Sequence, residues 1–241
     1  MFPTKVNYVA ALAFVSFACA PAGSSTRGAE TTSASTSAST STVAAAAKDS
    51  AKASKDPDVV RADLARIDGS PAAKLWVIVV SDFQCPYCKQ WHDESYSTFH
   101  KEYVETGKVR FAYINYPLNS HQNAWPAAQT AMCAAAQDKF WPMHEALFAT
   151  QQKWEVLTPP TSFLDSLASS MKLDMKRFHD CVSSGKMRSL IQADHDRALA
   201  AGATSTPTFL VGGELLIGAV PIADLRKAVD GALAKAGKSS P

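Results

Sequence analysis

The clearest signal in the chain is a change of hydrophobic period. Leu75 to Ser81 (LWVIVVS) is an unbroken apolar run rich in β-branched residues. Such a run reads as a strand buried on both faces, in the middle of a sheet flanked by helices. From Pro86 the pattern turns helical and lasts to about Thr106. Pro86 suits the first helical turn, where its missing N–H costs nothing, and Gly107 is a stop signal. Lys108 to Tyr116 (KVRFAYINY) alternates and predicts a second strand. Strand, helix and strand in that order form a β-α-β unit, whose strands run parallel.

A long helical region follows. Ser120 to about Gln137 is Ala-rich, with Pro126 early in it, and Lys139 to Gln151 is a second helix. Ser162 to Met171 is a third, with Ser162 as its N-cap and Asp165 three residues on, close to a capping box. Asp174 caps a fourth that ends at Gly185, and Lys186 to about Ala201 is a fifth, ended by Gly202. The chain then returns to sheet. Thr208 to Val211 and Glu214 to Ile217 are short strands joined by Gly212-Gly213, a two-residue hairpin signal. Pro221 opens a last helix to about Ala236. The order β-α-β, helices, β-β-α predicts an α/β domain over residues 57–238, with an all-helical insertion over about residues 118–202 and no internal repeat.

The N-terminal part follows other rules. Val9 to Ala18 (VAALAFVSFA) comes after Lys5 and has the length of a signal-peptide apolar core, too short to span a bilayer. Small residues follow in Ala18-Cys19-Ala20-Pro21-Ala22. Cys19 stands where a lipoprotein signal places its lipidated cysteine, with Ala18 fitting and Ser16 departing from the usual Leu-like residue; an ordinary cut after Ala20 or Ala22 is the alternative. Residues 20–56 then read as a disordered linker, because Ser24 to Ser54 is dominated by Ser, Thr and Ala and has no aromatic residue. A coil of about 35 residues reaches roughly 30–35 Å, a fitting tether for a lipid-anchored domain. Export, with residues 1–19 as signal, predicts an extracytoplasmic protein of the bacterial periplasm or cell envelope. The formal net charge of +2 gives no basic surface that argues for nucleic acid.

Export also changes how the cysteines read. Setting Cys19 aside leaves Cys85, Cys88, Cys133 and Cys181. An even number suggests pairs. Cys85 and Cys88 are one natural pair, which leaves Cys133 with Cys181; two lone buried cysteines are the alternative. The Cys85–Cys88 spacing itself admits a metal clip, a structural staple or a reactive pair. For copper or zinc, His92 would be a third ligand beside the two soft sulfurs, but no second close cysteine pair completes a structural zinc set. Placed between a buried strand and a helix start, Cys85 gains free N–H groups and the positive end of the helix dipole, which favour its thiolate. Cys88 lies one turn on, on the same helix face.

Phe83-Gln84-Cys85-Pro86-Tyr87-Cys88 resembles the redox motif of the DsbA-like thiol–disulfide oxidoreductases. Ser205-Thr206-Pro207-Thr208-Phe209 resembles that family's cis-proline loop, and Cys133 to Trp141 with His144, Leu147 and Phe148 is similar to its inserted helices. The resemblance covers about Arg61 to Ala236. It implies a thioredoxin fold with a helical insertion and an activity that exchanges disulfides with exported proteins. Cys85 would attack, Cys88 would resolve and Pro207 would be cis against the pair, with Thr206, Pro86 and Tyr87 meeting substrate. It implies no cofactor. The expected partners are exported proteins with thiols or disulfides, a membrane or periplasmic redox partner and, through Cys19, the membrane itself; a monomer is the default state. Some family members carry a second disulfide where Cys133 and Cys181 fall, which would be structural; in the chain-entropy description a loop of about 48 residues makes it worth roughly 3–4 kcal/mol. Thr206 resembles the isomerase and reductase members more than the strong oxidase. One departure stands out: the buried carboxylate that many relatives place six residues before the first cysteine is Val79 here. Asp82 is nearer, and is expected at the strand end in solvent, as His92 is expected to be an exposed helical histidine.

Overall fold

A computed structural model describes residues 54–238. Cys19, the signal segment and nearly all of the linker lie outside the described residues. The chain runs α1 (Pro57–Ala65), β1 (Ile67–Asp68), β2 (Leu75–Ser81), α2 (Pro86–Trp91), α3 (Ser97–Phe99), β3 (Val109–Asn115), α4 (Ala124–Ala135), α5 (Phe140–Ala149), α6 (Gln151–Trp154), α7 (Thr161–Ser170), α8 (Met175–Ser184), α9 (Arg188–Ala200), β4 (Thr208–Val211), β5 (Glu214–Ile217) and α10 (Ile222–Lys238). Among the described residues the strands lie in the order β1-β3-β2-β4-β5. β2 and β3 are parallel, from Leu75 opposite Val109 to Ser81 opposite Asn115. β4 runs antiparallel to both β2 and β5. This is the α/β thioredoxin fold, with α4 to α9 inserted between β3 and β4.

β2 explains why the sheet has helices on both faces. Val77 and Val79 face a core shared with Trp91, Phe99, Phe111, Phe209, Leu225 and Val229. Ile78 and Val80 face the other way, onto Ala112, Ile114, Leu210 and Ala198 of α9. Every one of these side chains is buried. Burying each of the larger ones contributes roughly 1.5–3 kcal/mol, so the strand has no position that tolerates a charge.

Several details depart from the sequence pattern. α1 and β1 precede the first predicted strand. Asp56 caps α1 by accepting the Asp58 N–H at 2.9 Å, with Pro57 in the first turn. Its buried stripe is short, so the periodic signal is weak. β1 is two residues long and pairs antiparallel with β3 at Ile67–Ala112 and Asp68–Phe111. The helix from Pro86 is interrupted by π-helical turns at His92–Tyr96 and His100–Val104. Wide turns of this kind shift which residues face inward, and they help keep both Trp91 and Tyr103 buried. α7 starts at Thr161, without a side-chain cap, so Ser162 is not its N-cap. Asp174 does cap α8, accepting the Arg177 N–H at 3.0 Å. In the Gly212-Gly213 turn both residues have positive φ, and a Cβ on Gly212 would sit 2.7 Å from that of Ala232.

A buried ionic network fixes the ends of these layers together. Arg66, just after α1, is 2% exposed. Its guanidinium bonds both Asp63 and Asp194 and donates to the Tyr113 carbonyl at 3.1 Å. Asp194, on α9, also accepts from the backbone and side-chain N–H groups of Asn115 at 3.2 and 3.0 Å. Removing Asp194 leaves the buried Arg66 with Asp63 alone and takes the acceptor from two Asn115 N–H groups; losing one partner of a buried ionic network costs about 3–5 kcal/mol. Asp194→Ala is therefore expected to lower the urea-unfolding free energy by about that amount. A loss below about 1 kcal/mol would show that water or a neighbouring group replaces the carboxylate.

Candidate active site

β2 ends at Ser81, and the chain turns through Asp82, Phe83 and Gln84 before α2 begins. The Cys85 N–H closes the turn onto the Asp82 carbonyl at 3.1 Å. Cys85 is the N-cap of α2, extended at φ −69° and ψ 124°, with Pro86 first in the helix. Cys85 and Cys88 are both free and buried, at 3% and 1% exposure. The Cys85 thiol donates to the Thr206 carbonyl at 3.4 Å, and Cys88 Sγ accepts the Asp82 N–H at 3.5 Å. Pro86 and Tyr87 stand exposed beside them, Tyr87 at 62%.

The pair is electrostatically unequal. A hydrogen bond from Cys88, opposed by burial and helped by Thr206 and by the helix N–H groups of Cys88 and Tyr87, brings Cys85 down to about 6. Burial, then the bond to Cys85, pushes Cys88 well above the usual thiol range. Near neutral pH one sulfur is a thiolate and the other a thiol.

Sheet pairing brings the second loop to the same place. Val80 pairs with Thr208, so the residues just before β4 lie beside the end of β2. The Thr206–Pro207 peptide bond is cis. The Pro207 carbonyl accepts the Gly218 N–H at 2.8 Å, and the Thr208 hydroxyl donates to Ser205 at 2.8 Å. Far from this site, a disulfide joins Cys133 on α4 to Cys181 on α8.

Two residues differ from their sequence reading. Asp82 is not solvated: it is 2% exposed. Its carboxylate accepts from the Gln84 N–H at 2.8 Å, the Leu118 N–H at 3.0 Å and His121 Nδ1 at 2.7 Å. Three donors supplied partly from after β3 make burial affordable for a charge, and none is visible from local sequence. His92 is not an exposed helical histidine either. Its side chain is 10% exposed and bonds Asp93 and Glu145, stacked on Tyr96 and Phe148. Val79 is 2% exposed and packs in the core.

The insertion also reaches the site. Gln151 donates to the Phe83 and Cys85 carbonyls at 2.7 and 3.1 Å. Gln84 accepts the Asn123 N–H at 2.7 Å, and Lys89 donates to the Phe148 carbonyl at 3.0 Å. These residues, with His121, were missed in the sequence because each acts across more than 30 positions.

A family model described as thioredoxin matches residues 62–231. The chain belongs to the thioredoxin family. Among curated relatives, the probable disulfide bond formation protein D of Bacillus anthracis is 29% identical over 171 residues, covering 69% of this chain and 77% of that protein. Na(+)/H(+) antiporter NhaA 3 of Salinispora tropica is 32% identical over 175 residues, 72% of this chain; the chain spans 26% of that longer protein. Oxidised BdbD from Bacillus subtilis superposes with a TM-score of 0.64 at 22% identity, covering 70% of this chain and 92% of BdbD. The α-DsbA1 of Wolbachia pipientis also reaches 0.64, at 21% identity, covering 71% and 92%. Thioredoxin-family membership and these DsbA-like neighbours agree with the resemblance read from the motifs.

Two measurements test these electrostatics. In the reduced protein, alkylation should follow one titration near pH 6, absent in Cys85→Ser. A midpoint above about 8, the free-thiol range, would remove the thiolate argument. The hydrogen bond to Asp82 raises His121 above its usual 6.5, with burial opposing and the negative charges of Asp82, Cys85 and Glu155 adding to it. A raised folded pKa means stability that is full below the unfolded value and is lost as pH rises through the folded one. The stability gap between wild type and His121→Ala should thus shrink as pH rises above the usual 6.5; a gap that widens would reverse the sign.

Proposed function

We propose that this chain is an extracytoplasmic thiol–disulfide oxidoreductase that exchanges disulfides with exported proteins through Cys85, with Cys88 as the resolving cysteine. The observation that carries this reading is the unequal pair: a thiolate-forming sulfur at a helix start, against the Thr206–Pro207 loop, with a buried thiol one turn behind. Membership of the thioredoxin family, and similarity to relatives named for disulfide bond formation, support it.

In the oxidised protein a substrate thiolate attacks Cys85 Sγ. The Cys85–Cys88 bond breaks, and Cys88 leaves with the electron pair and takes up a proton, as its burial favours. A second substrate thiolate attacks the substrate sulfur of the mixed disulfide, and Cys85 leaves as the stabilised thiolate. The substrate gains a disulfide and gives two electrons to the pair, which a membrane or periplasmic redox partner withdraws. A stabilised thiolate in the reduced form raises the reduction potential; the same steps run in reverse reduce a substrate disulfide, and the redox partner sets the direction. The exposed Pro86 and Tyr87 and the backbone at Thr206 form the substrate-facing rim, and Pro207 holds that loop against the pair. The Cys133–Cys181 bridge is structural. Signal cleavage with lipidation at Cys19 would tether the domain to the membrane; no helix among the described residues is long and apolar enough to cross one.

Cys85→Ser should abolish both refolding of a reduced, disulfide-containing substrate and insulin reduction, whereas Cys88→Ser should accumulate mixed disulfides visible by non-reducing electrophoresis. Full activity without Cys85 would sink the mechanism.

A further inference from the structure

Two helical turns beyond Cys85, a second constellation gathers. His92 comes from the first π-helical turn, and His144 and Glu145 come from α5. Their ligand atoms all lie within 4.8 Å of one another. The Glu145 carboxylate lies between the two imidazoles: Oε2 is 3.1 Å from His92 Nε2, and Oε1 is 3.8 Å from His144 Nδ1. The second distance is too long for a hydrogen bond.

His144 is the anomaly. It is 2% exposed, among the rings of Phe83, Tyr96, Tyr113, Phe140, Trp141 and Phe148. Its Nδ1 is buried with no hydrogen-bond partner. A buried polar atom without a partner is destabilising, and a ligand that supplies one relieves it.

We propose that His92, His144 and Glu145 form a binding site for a divalent transition-metal ion of the zinc type, distinct from the cysteine pair. Two imidazoles and a carboxylate suit zinc, with a solvent molecule as fourth ligand. An ion there gives His144 Nδ1 the partner it lacks and takes the place of the His92–Glu145 contact. The outer partner is in place. His92 Nδ1 faces Asp93 at 3.2 Å, and Lys89 holds that carboxylate at 2.8 Å. A ligating histidine is usually oriented by such a carboxylate on its other nitrogen. Ligands at about 2.0–2.2 Å around a tetrahedral ion sit about 3.3–3.5 Å apart. Reaching that spacing takes rotation of the side chains, for which the half-exposed Glu145 has the most room. The ion has a way in, because an open cavity of about 760 Å³ is lined by His92, Asp93, Tyr96, Trp141 and Glu145. On its far side His100 is bonded to Asp68 and Glu105, outside this ligand set.

The site reuses the histidine that the sequence offered to a cysteine-based clip, but with oxygen and nitrogen donors only. The test is therefore made on the oxidised full chain carrying Cys19→Ser, in which Cys85–Cys88 and Cys133–Cys181 are bonded and no free thiol remains. Equilibrium dialysis against zinc, with elemental analysis, should retain one ion per chain. His92→Ala and Glu145→Gln, each checked for folding by circular dichroism, should weaken binding about 10- to 100-fold and leave disulfide exchange unchanged. X-ray absorption should show nitrogen and oxygen neighbours and no sulfur. Equal binding in both folded variants, sulfur in the zinc shell, or no retention at about millimolar zinc would overturn the proposal. None of these results bears on whether Cys85 is the attacking thiol.

Discussion

Four antiparallel pairs, Val77–Val211, Ile78–Leu210, Val79–Phe209 and Val80–Thr208, join the two halves of the sheet. Cys85 follows the first strand by one turn of loop, and Pro207 immediately precedes the second. The register at Val80–Thr208 therefore decides that the Cys85 thiol meets the Thr206 carbonyl, 121 residues away in sequence. A slip of one residue would turn Phe209 to the opposite face of the sheet and withdraw the loop from the cysteine. The apolar side chains on both faces of β2 hold the register, so the site inherits its geometry from the core.

Within that frame the two cysteines are made unequal by position. Cys85 sits at a helix start, where backbone N–H groups have no helical partner and can face negative charge. Cys88, one turn on, is sealed beneath and meets a single backbone donor at 3.5 Å. The same residue type, three positions apart, is a poised nucleophile in one place and a reluctant thiolate in the other. In the proposed exchange that asymmetry assigns the places: the substrate sulfur is bonded at Cys85, and Cys88 behind it is the sulfur that leaves when the pair opens and returns when it closes.

The helical insertion braces this loop. Its Gln151 and Asn123 are bonded to the residues around Phe83 and Gln84. The segment leading into it supplies the Leu118 N–H and His121, which satisfy the buried Asp82 carboxylate. Asp82 thus belongs to the support of the redox turn even though its neighbours in sequence give it no partner but the Gln84 N–H. The disulfide between α4 and α8 acts on a different part of the insertion, tying two of its helices to each other.

The sequence by itself was enough for the order of the longer strands and helices from β2 onward, because long apolar runs and turn residues report local geometry directly. It also placed Cys85 and Cys88 at a strand-to-helix junction, since a motif four residues long is a local object. It could not show α1 and β1, whose apolar stripe and length are too small to give a period. It misjudged Asp82 and His92, because burial of a polar side chain depends on donors brought from elsewhere in the chain. Only the tertiary structure could bring His121 to Asp82, Thr206 to Cys85, and Glu145 between two imidazoles, because each of these meetings is made by packing across tens of residues rather than by any preference of the residues themselves.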